Sequence, residues 1–413
     1  MSSFSLGSYD SGALPADKSN FFALYHASLS ENLKKKLQFR DEGNGVWRDF
    51  RETPGTGVRD LQQFLKDAGF MPKANCDGVF GYATQAAVRL FQEYVRTIEG
   101  NADIGAPDGS VGPKTWAIIE KWKRERTGSD AFVSEWGRLS TQNPTPEFNR
   151  WLGLITRAKE FYLQNPNPIV AHIEQYNRPT DTRKVSDWDT SPDTIHLIGI
   201  RANETSGDRK RRNDDLFVLL IKGMVFKFWG STDPNPDLAE RADIPFLVES
   251  QHQYQFGWHK VGDEATVYRA LRPASSGVLV FRDRNRDRAL TAEDMLKGLD
   301  PSPNTTINIH WSGIGSYNFS AGCQVIAGKS YLNHQGKLID CTPHAATSYK
   351  ELGGAKGRGA YNVFADLVLT YAPPGVHTLA YLLGRDETLS RFDPESQDFV
   401  ATTVSQMKGE RVA

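Results

Sequence analysis

The chain has 413 residues, which is too long for one ordinary domain, so two or three domains are expected. Hydrophobic residues make up 39% of it and charged residues 24%, as is typical of a globular protein with enough apolar material for a core. The 49 basic and 50 acidic side chains give a net charge of −1, which indicates neither nucleic-acid binding nor a solvating acidic tail.

Targeting signals and disulfide patterns are weak. The three cysteines, Cys76, Cys323 and Cys341, are too few and too scattered for a disulfide framework. No uncharged apolar run of about 18 residues predicts a membrane span. The first twenty residues lack the basic and apolar regions of a standard signal peptide, so we expect another delivery route if the substrate lies outside the cytoplasm.

Residues 1–50 are polar and weakly patterned, and we interpret them as an N-terminal arm with one helix around 21–37. The following segment, 51–122, contains an internal repeat. Its turn Asp77-Gly78-Val79-Phe80-Gly81 recurs as Asp108-Gly109-Ser110-Val111-Gly112, and each copy precedes a helical pattern. The glycines of both turns suit positive φ.

This repeat resembles the three-helix peptidoglycan-binding module found in many cell-wall hydrolases, apart from an enlarged loop at 97–106. The resemblance covers about 65 residues and implies peptidoglycan as a partner. The module residues it indicates are Asp77, Gly78, Phe80, Gly81, Asp108 and Gly109. The alternative is a helical domain with a repeated capping turn and no affinity for glycan.

Residues 123–185 are helical in pattern and form a connector, with an amphipathic helix at 147–164. From 186 to 390 the apolar period becomes strand-like, with candidate strands at 196–201, 216–229, 267–271, 278–282, 306–311, 323–327 and 376–383. Residues 391–413 form a C-terminal tail. We therefore predict a multi-domain protein with a small all-α module, a helical connector and a mostly β catalytic domain.

The most informative residues for chemistry are His310 and Cys323. Alternation along the strand puts Asn308, His310 and Ser312 on one face, so two small polar side chains could orient the imidazole. A nearby imidazole makes a thiol a competent nucleophile. Gly322 lets a substrate approach the backbone, whose N–H groups can stabilise an oxyanion.

These residues resemble the signature of the L,D-transpeptidase catalytic fold, in which a histidine strand is followed by [S/T]-H-G-C. Ser320, Gly322 and Cys323 match the second motif, and His310 matches the upstream histidine. We interpret Ser320, together with Asn308 and Ser312, as an orienting residue. The resemblance implies a catalytic cysteine, a histidine base, an oxyanion hole at Gly322 and Cys323, and a peptidoglycan stem peptide as substrate.

The chain also departs from that signature. Trp311 replaces a glycine, Ala321 replaces a histidine, and Gln324-Val325 replaces an apolar residue and an arginine. We interpret Trp311 and Gln324 as reshaping the substrate pocket. Further candidates for lining the cleft are Trp258, His259, Tyr268 and Arg269.

Two metal sites are considered. Zinc bound by His310, Cys323 and His259 is an alternative use of the pair, although no C-x-x-C or H-E-x-x-H motif accompanies it. The acidic run Asp283, Asn285 and Asp287, continuing to Asp294, has the ligand spacing of an EF-hand-like loop, with Arg288 where glycine is usual. It is a candidate for structural calcium. We expect catalysis itself to need no cofactor.

The sequence thus predicts a cysteine-dependent peptidoglycan peptidase or transpeptidase that forms an acyl-thioester on Cys323. Without a recognised leader, it would reach the wall of a target bacterium as a phage lysin or as a delivered effector. Such a role implies a secretion or phage-tail component and an immunity protein as further partners. The alternative is a wall-binding or tail-associated structural protein whose transpeptidase-like domain is inactive.

Overall fold

In a computed structural model of the protein, the described residues are 3–13, 31–41, 46–72, 75–202, 212–238, 243–259, 267–353, 356–373, 375–393 and 398–410. They divide into two compact units, each made of separate stretches of chain. The first unit comprises 1–143, 257–269 and 343–376, and the second comprises 144–256, 270–342 and 377–413. This division differs from the predicted linear series of domains, because two late segments belong to the N-terminal unit. None of the helices in the described ranges has both the length and the apolarity to cross a membrane.

The first unit is mainly helical in its described part. Its short strands are β1 Ser8–Asp10, β2 Phe39–Asp41, β3 Val46–Arg48 and β4 Arg51–Thr53. Its helices are α1 Glu31–Lys34, α2 Gly57–Asp67, α3 Tyr82–Thr97, α4 Pro113–Glu125, α5 Ser129–Phe132, α6 Glu135–Arg138 and α10 Ala360–Tyr371. Most of the helix predicted at 21–37 lies outside the described residues.

The first repeat turn is held by a buried glutamine of α2. Gln62 Nε2 donates to Asp77 Oδ1 at 2.9 Å and to Val79 O and Thr84 Oγ1 at 3.0 Å each. Its Oε1 accepts the N–H of Gly78 at 2.8 Å. Gly78 has φ of +78°, a conformation that a residue with a Cβ rarely adopts.

The second turn repeats this hydrogen-bond network from α3. Gln92 Nε2 donates to Asp108 Oδ1, Ser110 O and Thr115 Oγ1 at 3.2, 2.9 and 3.2 Å. Its Oε1 accepts the N–H of Gly109 at 2.9 Å. The internal repeat predicted from the sequence is therefore confirmed, and the aspartates of both turns have a structural task within the module.

The N-terminal arm is part of this unit. Strand β1 pairs in parallel with β4, and the N–H of Asp10 donates to Gly78 O at 2.9 Å. The carboxylate of Asp10 accepts the N–H groups of Val58 and Arg59 at 2.8 Å each. These two N–H groups lie in the first turn of α2, where the helix offers them no carbonyl partner. The Asp10 carboxylate therefore caps the N-terminus of α2.

Helix α10 also belongs to the first unit, through a buried ion pair with α3. Arg89 Nε and Nη2 donate to the two carboxylate oxygens of Asp366 at 2.7 and 2.8 Å. Their side chains are 4% and 2% exposed. A two-pronged pair of this kind fixes the orientation of the helices it joins.

The second unit contains a long mixed sheet. Its helices are α7 Pro146–Gln164, α8 Pro168–Gln175, α9 Ala292–Leu296, α11 Asp386–Phe392 and α12 Phe399–Lys408, and α7 confirms the predicted amphipathic helix. Its strands are β5 His196–Arg201, β6 Asp215–Ile221, β7 Met224–Ser231, β8 Pro245–Leu247, β9 Gln251–His259, β10 Tyr268–Pro273, β11 Val280–Arg282, β12 Ile309–Trp311, β13 Gln324–Ile326, β14 Ser330–Leu332, β15 Leu338–Asp340 and β16 Thr378–Arg385. Strand β9 ends in segment 257–269 of the first unit, and strand β10 begins in it.

Eight of these strands close into a barrel in the order β13-β12-β10-β9-β16-β5-β6-β7, because β13 pairs with β7 as well as with β12. At the closure Ile326 lies opposite Gly230, and Ala327 N donates to Trp229 O at 2.8 Å. A Cβ built on Gly230 would overlap the carbonyl oxygen of Val325. Glycine therefore permits the close approach of β7 and β13.

The two faces of the barrel strands have different partners. Outward side chains such as Ile198, Val218 and Trp229 form a core with α7, α11 and α12. Inward side chains include Phe217 and Tyr381, whose rings stack with centroids 6.5 Å apart. The prediction of a mostly β second domain is confirmed by this architecture.

Candidate active site

His310 lies in β12, and Cys323 directly precedes the neighbouring strand β13 of the barrel. Strands β12 and β13 are parallel, with Ile309 opposite Gln324 and His310 opposite Val325. Cys323 directly precedes β13, so it continues this register opposite Asn308. In this register Cys323 and His310 are diagonal neighbours. A strand spacing of about 4.8 Å and a rise of about 3.3 Å per residue put their Cα atoms roughly 8 Å apart.

His310 faces the outside of the barrel. Ile326 lies opposite Gly230 on the inner face, so Gln324 and its partner Ile309 are also inward and His310 is outward. Cys323 is half-buried, and its Sγ accepts the N–H of Asn308 and donates to Thr306 O, both at 3.3 Å. The thiol is thus held at the end of β12 without being enclosed.

The imidazole of His310 is buried and its Nδ1 lies 2.9 Å from the carbonyl oxygen of Trp311. A carbonyl oxygen can only accept, so Nδ1 is the donor of this hydrogen bond. In the neutral ring the other nitrogen, Nε2, then has the lone pair. This is the tautomer that a general base requires.

The backbone N–H groups predicted to form an oxyanion hole have a partner in this structure. Ser320 Oγ accepts the N–H of Cys323 at 2.8 Å and that of Gly322 at 3.4 Å. Both donors therefore point at one oxygen atom, as an oxyanion would require. The hydrogen bonds place the Ser320 side chain against the backbone of Gly322 and Cys323, whereas we expected it to be an orienting residue.

Three buried asparagines fix the loop before Cys323, and none of them was predicted. Asn318 Oδ1 accepts the N–H of Ser320 at 2.6 Å, and its Nδ2 donates to Asp233 O at 2.5 Å. Asn235 Nδ2 donates to Asn318 O at 2.7 Å, and its N–H donates to Ser320 O at 2.8 Å. Asn213 Nδ2 donates to two carbonyl oxygens earlier in the same loop, those of Gly315 and Tyr317. Apart from the N–H of Ser320, the backbone partners of these side chains are at least 83 positions away in sequence, which is why no local pattern reveals them.

Asn308 and Ser312 share the outer face with His310, as strand alternation predicts. The structure holds His310 Nδ1 through a backbone carbonyl, so an orienting role for either side chain stays a prediction. A role of Trp311 and Gln324 in shaping the substrate pocket stays a prediction. Both are buried on the inner face, and Gln324 Oε1 accepts the hydroxyl of Tyr381.

The cleft residues predicted at 258–269 belong to the core of the first unit. Trp258 is buried, with its ring centroid 5.4 Å from that of Tyr82. Tyr268 is also buried, and its hydroxyl lies 3.1 Å from that of Tyr349. Burial gives both rings a packing role in the first unit, and lining of a substrate cleft by either stays a prediction from the sequence.

His259 and Arg269 lie in the same packed segment as those two rings. The ring centroid of His259 is 5.5 Å from that of Tyr268, and the guanidinium of Arg269 lies 5.2 Å from the ring centroid of Tyr82. Arg269 O accepts the hydroxyl of Tyr361 at 2.8 Å. These contacts give both residues a packing task in the first unit.

The acidic loop brings its carboxylates together. Oxygen atoms of Asp283, Asp287 and Asp294 lie within 4.8 Å of one another, and this is the group of possible metal ligands found among the described residues. Arg288 adopts φ of +70° where an EF-hand would have glycine. Asn285 joins the cluster by donating to Asp287 Oδ2 at 2.9 Å. The residue types suit calcium, and calcium binding stays a prediction.

The structure does not bring the three residues of the zinc alternative together. His310, Cys323 and His259 do not form a group at ligand distance within the described ranges. His259 belongs to the first unit, whereas the other two belong to the second.

Comparisons with known proteins give one domain assignment. Residues 54–119 match the family described as "Putative peptidoglycan binding domain". No curated protein matches the sequence. One solved structure, a fused Zn-dependent amidase/peptidase/peptidoglycan-binding domain-containing protein from Clostridium acetobutylicum, is 15% identical, with 84% of this chain and 98% of that chain covered, at a TM-score of 0.20. A TM-score this low supports no conclusion about fold or activity.

Proposed function

We propose that the protein is a cysteine-dependent enzyme that cleaves or exchanges peptide bonds of peptidoglycan stems. The observation that supports this most is that the half-buried thiol of Cys323 contacts the backbone leading into the strand of His310, whose Nδ1 is bound to a carbonyl oxygen. The peptidoglycan-binding domain at 54–119 supports the choice of substrate. By tethering the chain to the wall, it raises the local concentration of stem peptides.

The chemistry begins with the thiol of Cys323. His310 Nε2 accepts the thiol proton as Sγ attacks a stem-peptide carbonyl carbon. When the tetrahedral intermediate collapses, the C–N bond breaks, the leaving amine takes the proton from His310, and an acyl-thioester remains on Cys323. Attack by water then gives hydrolysis, and attack by an amine gives transfer.

The oxyanion of that intermediate needs donors already in place. The N–H groups of Gly322 and Cys323 converge on Ser320 Oγ in the free protein. We propose that the substrate oxygen takes the position of this hydroxyl. Exchanging one acceptor for another requires rotation of a single small side chain, so little backbone reorganisation opposes the reaction.

Digestion of purified sacculi, followed by separation of the muropeptides, tests the proposal. We expect wild type to change the cross-linked fraction and Cys323→Ala to leave it unchanged, while Cys76→Ala, a half-buried thiol of the first unit, behaves as wild type. Loss of cross-links would identify hydrolysis, and new cross-links would identify transfer. Identical profiles from wild type and Cys323→Ala would contradict an enzymatic role and favour a wall-binding structural protein. The route to the wall, as lysin or delivered effector, stays a prediction from the sequence.

A further inference from the structure

The loop before Cys323 has two exposed aromatic side chains. Tyr317 is 43% exposed and Phe319 is 65% exposed, whereas the intervening Asn318 and the following Ser320 are buried. Phe319 is the most exposed aromatic side chain among the described residues. Alternation between buried polar and exposed aromatic residues is the reverse of the usual order for a solvent-facing loop, and exposed aromatic pairs often mark a binding surface.

This loop is held firmly, so its aromatic rings are presented from a fixed backbone. Asn213 Nδ2 donates to Gly315 O and Tyr317 O at 2.9 and 3.1 Å. On the other side, Asn318 O accepts Asn235 Nδ2 at 2.7 Å. Each hydrogen bond restrains the backbone on one side of Tyr317 or Phe319. Binding by these rings would therefore cost little loop-ordering entropy.

The rings are also close to the proposed nucleophile. Phe319 is joined directly to Ser320, whose hydroxyl accepts the N–H of Cys323 at 2.8 Å. Consecutive Cα atoms are about 3.8 Å apart, so the backbone of Phe319 lies within one residue of the group that contacts the nucleophile. A substrate bonded to Cys323 would therefore lie near the backbone of this loop.

The chemistry of the loop favours an uncharged ligand. The segment 312–321 contains no acidic or basic residue. Stem peptides have charged carboxylate and amino groups, which are best recognised by opposite charges. A sugar ring, by contrast, has an apolar C–H face that packs flat on an aromatic ring, with its hydroxyls directed to water.

We propose that Tyr317 and Phe319 form a glycan platform that holds the sugar strand of peptidoglycan beside Cys323. This rests on the proposed function of that cysteine. The platform is separate from the wall-binding domain at 54–119, and it would make the enzyme prefer stem peptides that are still attached to sugar.

The test compares two soluble substrates, a cross-linked muropeptide dimer with its disaccharides and the same dimer after the sugars are removed. For the full chain, we expect Tyr317→Ala and Phe319→Ala each to lower kcat/KM on the disaccharide dimer by about tenfold, a typical cost of truncating a buried aromatic contact. On the sugar-free dimer both should stay within about twofold of wild type. Leu338→Ala, another exposed apolar side chain of the second unit, is the matched control and should change neither value.

Equal losses on both substrates, or no loss on either, would overturn the platform. If wild type turns over neither dimer, the proposed enzymatic function fails, and the platform is then decided by titrating the free disaccharide into Cys323→Ala protein. Weaker binding after Phe319→Ala in that background would support the platform. Unchanged binding would overturn it.

Discussion

The hydroxyl of Ser320 is the residue-scale feature that links the loop to the chemistry. Its oxygen accepts from the two N–H groups that an oxyanion would need, so the donors are already directed at one point before substrate arrives. Asn318 in turn fixes Ser320, because its Oδ1 accepts the N–H of that residue at 2.6 Å. In the proposed mechanism the position of Ser320 therefore depends on the buried amide of Asn318.

Asn318→Asp tests this dependence. The carboxylate retains an acceptor for Ser320 but loses the donor to Asp233 O, and it leaves a buried charge beside a carbonyl oxygen. We expect kcat on a soluble muropeptide dimer to fall by about 10- to 100-fold with KM changed by less than about threefold, since only the alignment of catalytic groups is disturbed.

Asn333→Asp is a matched control, because the buried Asn333 holds a different turn by accepting the N–H groups of Gln335 and Lys337. It should cost some stability with a smaller effect on kcat. A loss confined to KM in Asn318→Asp would mean that Asn318 acts on substrate binding and would contradict the positioning role.

A second residue, His252, makes stability depend on pH. It is fully buried, with Nε2 3.0 Å from Val248 O and Nδ1 3.0 Å from Thr182 Oγ1. Burial lowers the pKa of His252 to about 3. In the unfolded chain this histidine takes up a proton below about pH 6.5, whereas in the folded chain it stays neutral down to about pH 3. Its contribution to the free energy of unfolding is therefore fully present above about pH 6.5 and is lost as the pH falls toward about 3.

Urea unfolding at a series of pH values measures the effect. Wild type should gain free energy of unfolding with rising pH in that window, by at most about 1.4 kcal/mol per pH unit from this group. His252→Gln should be less stable at neutral pH and should lack that part of the slope. Parallel curves for the two proteins would show that His252 does not titrate as described.

At the scale of elements, closure of the barrel depends on Gly230. A side chain at this position would overlap the carbonyl oxygen of Val325, the second residue of β13. Gly230→Ala should lower the free energy of unfolding by about 3 kcal/mol or more, because backbone cannot yield as a flexible side chain can. It should also separate β13 from β7 and lower activity.

Gly384→Ala in β16 is the matched control, since a Cβ there has no atom within 4 Å and φ is not positive. It should change stability by less than about 1 kcal/mol. Equal effects of the two substitutions in chemical denaturation would contradict the proposed close approach at the closure.

The ion pair between α3 and α10 makes a second prediction at this scale. Removing one partner, in Arg89→Met or Asp366→Leu, leaves a buried charge and should cost about 3–5 kcal/mol. The double substitution should cost much less than the sum, because no charge is left uncompensated. Additive losses in a double-mutant cycle of unfolding free energies would show that the two side chains do not interact.

Local patterns predicted the elements whose causes are local. Helical spacing predicted α7, the repeated Asp-Gly turns predicted the module, and alternation predicted that His310 and Trp311 face opposite ways. The sequence does not reveal that Trp311 and Gln324 lie on the enclosed face, because barrel closure joins β7 to β13 across nearly a hundred residues of sequence. The face of a strand that lies inside is set by such distant pairing.

At the scale of the whole molecule, the chain returns to its first unit twice after leaving it. Segments 257–269 and 343–376 contribute buried aromatic side chains and the partner of Arg89 to the unit that contains the peptidoglycan-binding domain. Linear boundaries could not reveal this, because Arg89 and Asp366 are 277 positions apart and each looks like an ordinary helix-surface charge. The second unit alone supplies both Cys323 and His310.

The acyl-thioester on Cys323 is the central claim, and mass spectrometry of the intact protein tests it most directly. After brief incubation with a cross-linked muropeptide and acid quenching, wild type should gain the mass of the donor stem minus its leaving group, located on the peptide that contains Cys323. His310→Gln should show at least about a hundredfold slower acylation, since the thiol loses its base. Cys323→Ala should show no adduct. Turnover of the substrate by Cys323→Ala, or an adduct on another residue, would contradict the account.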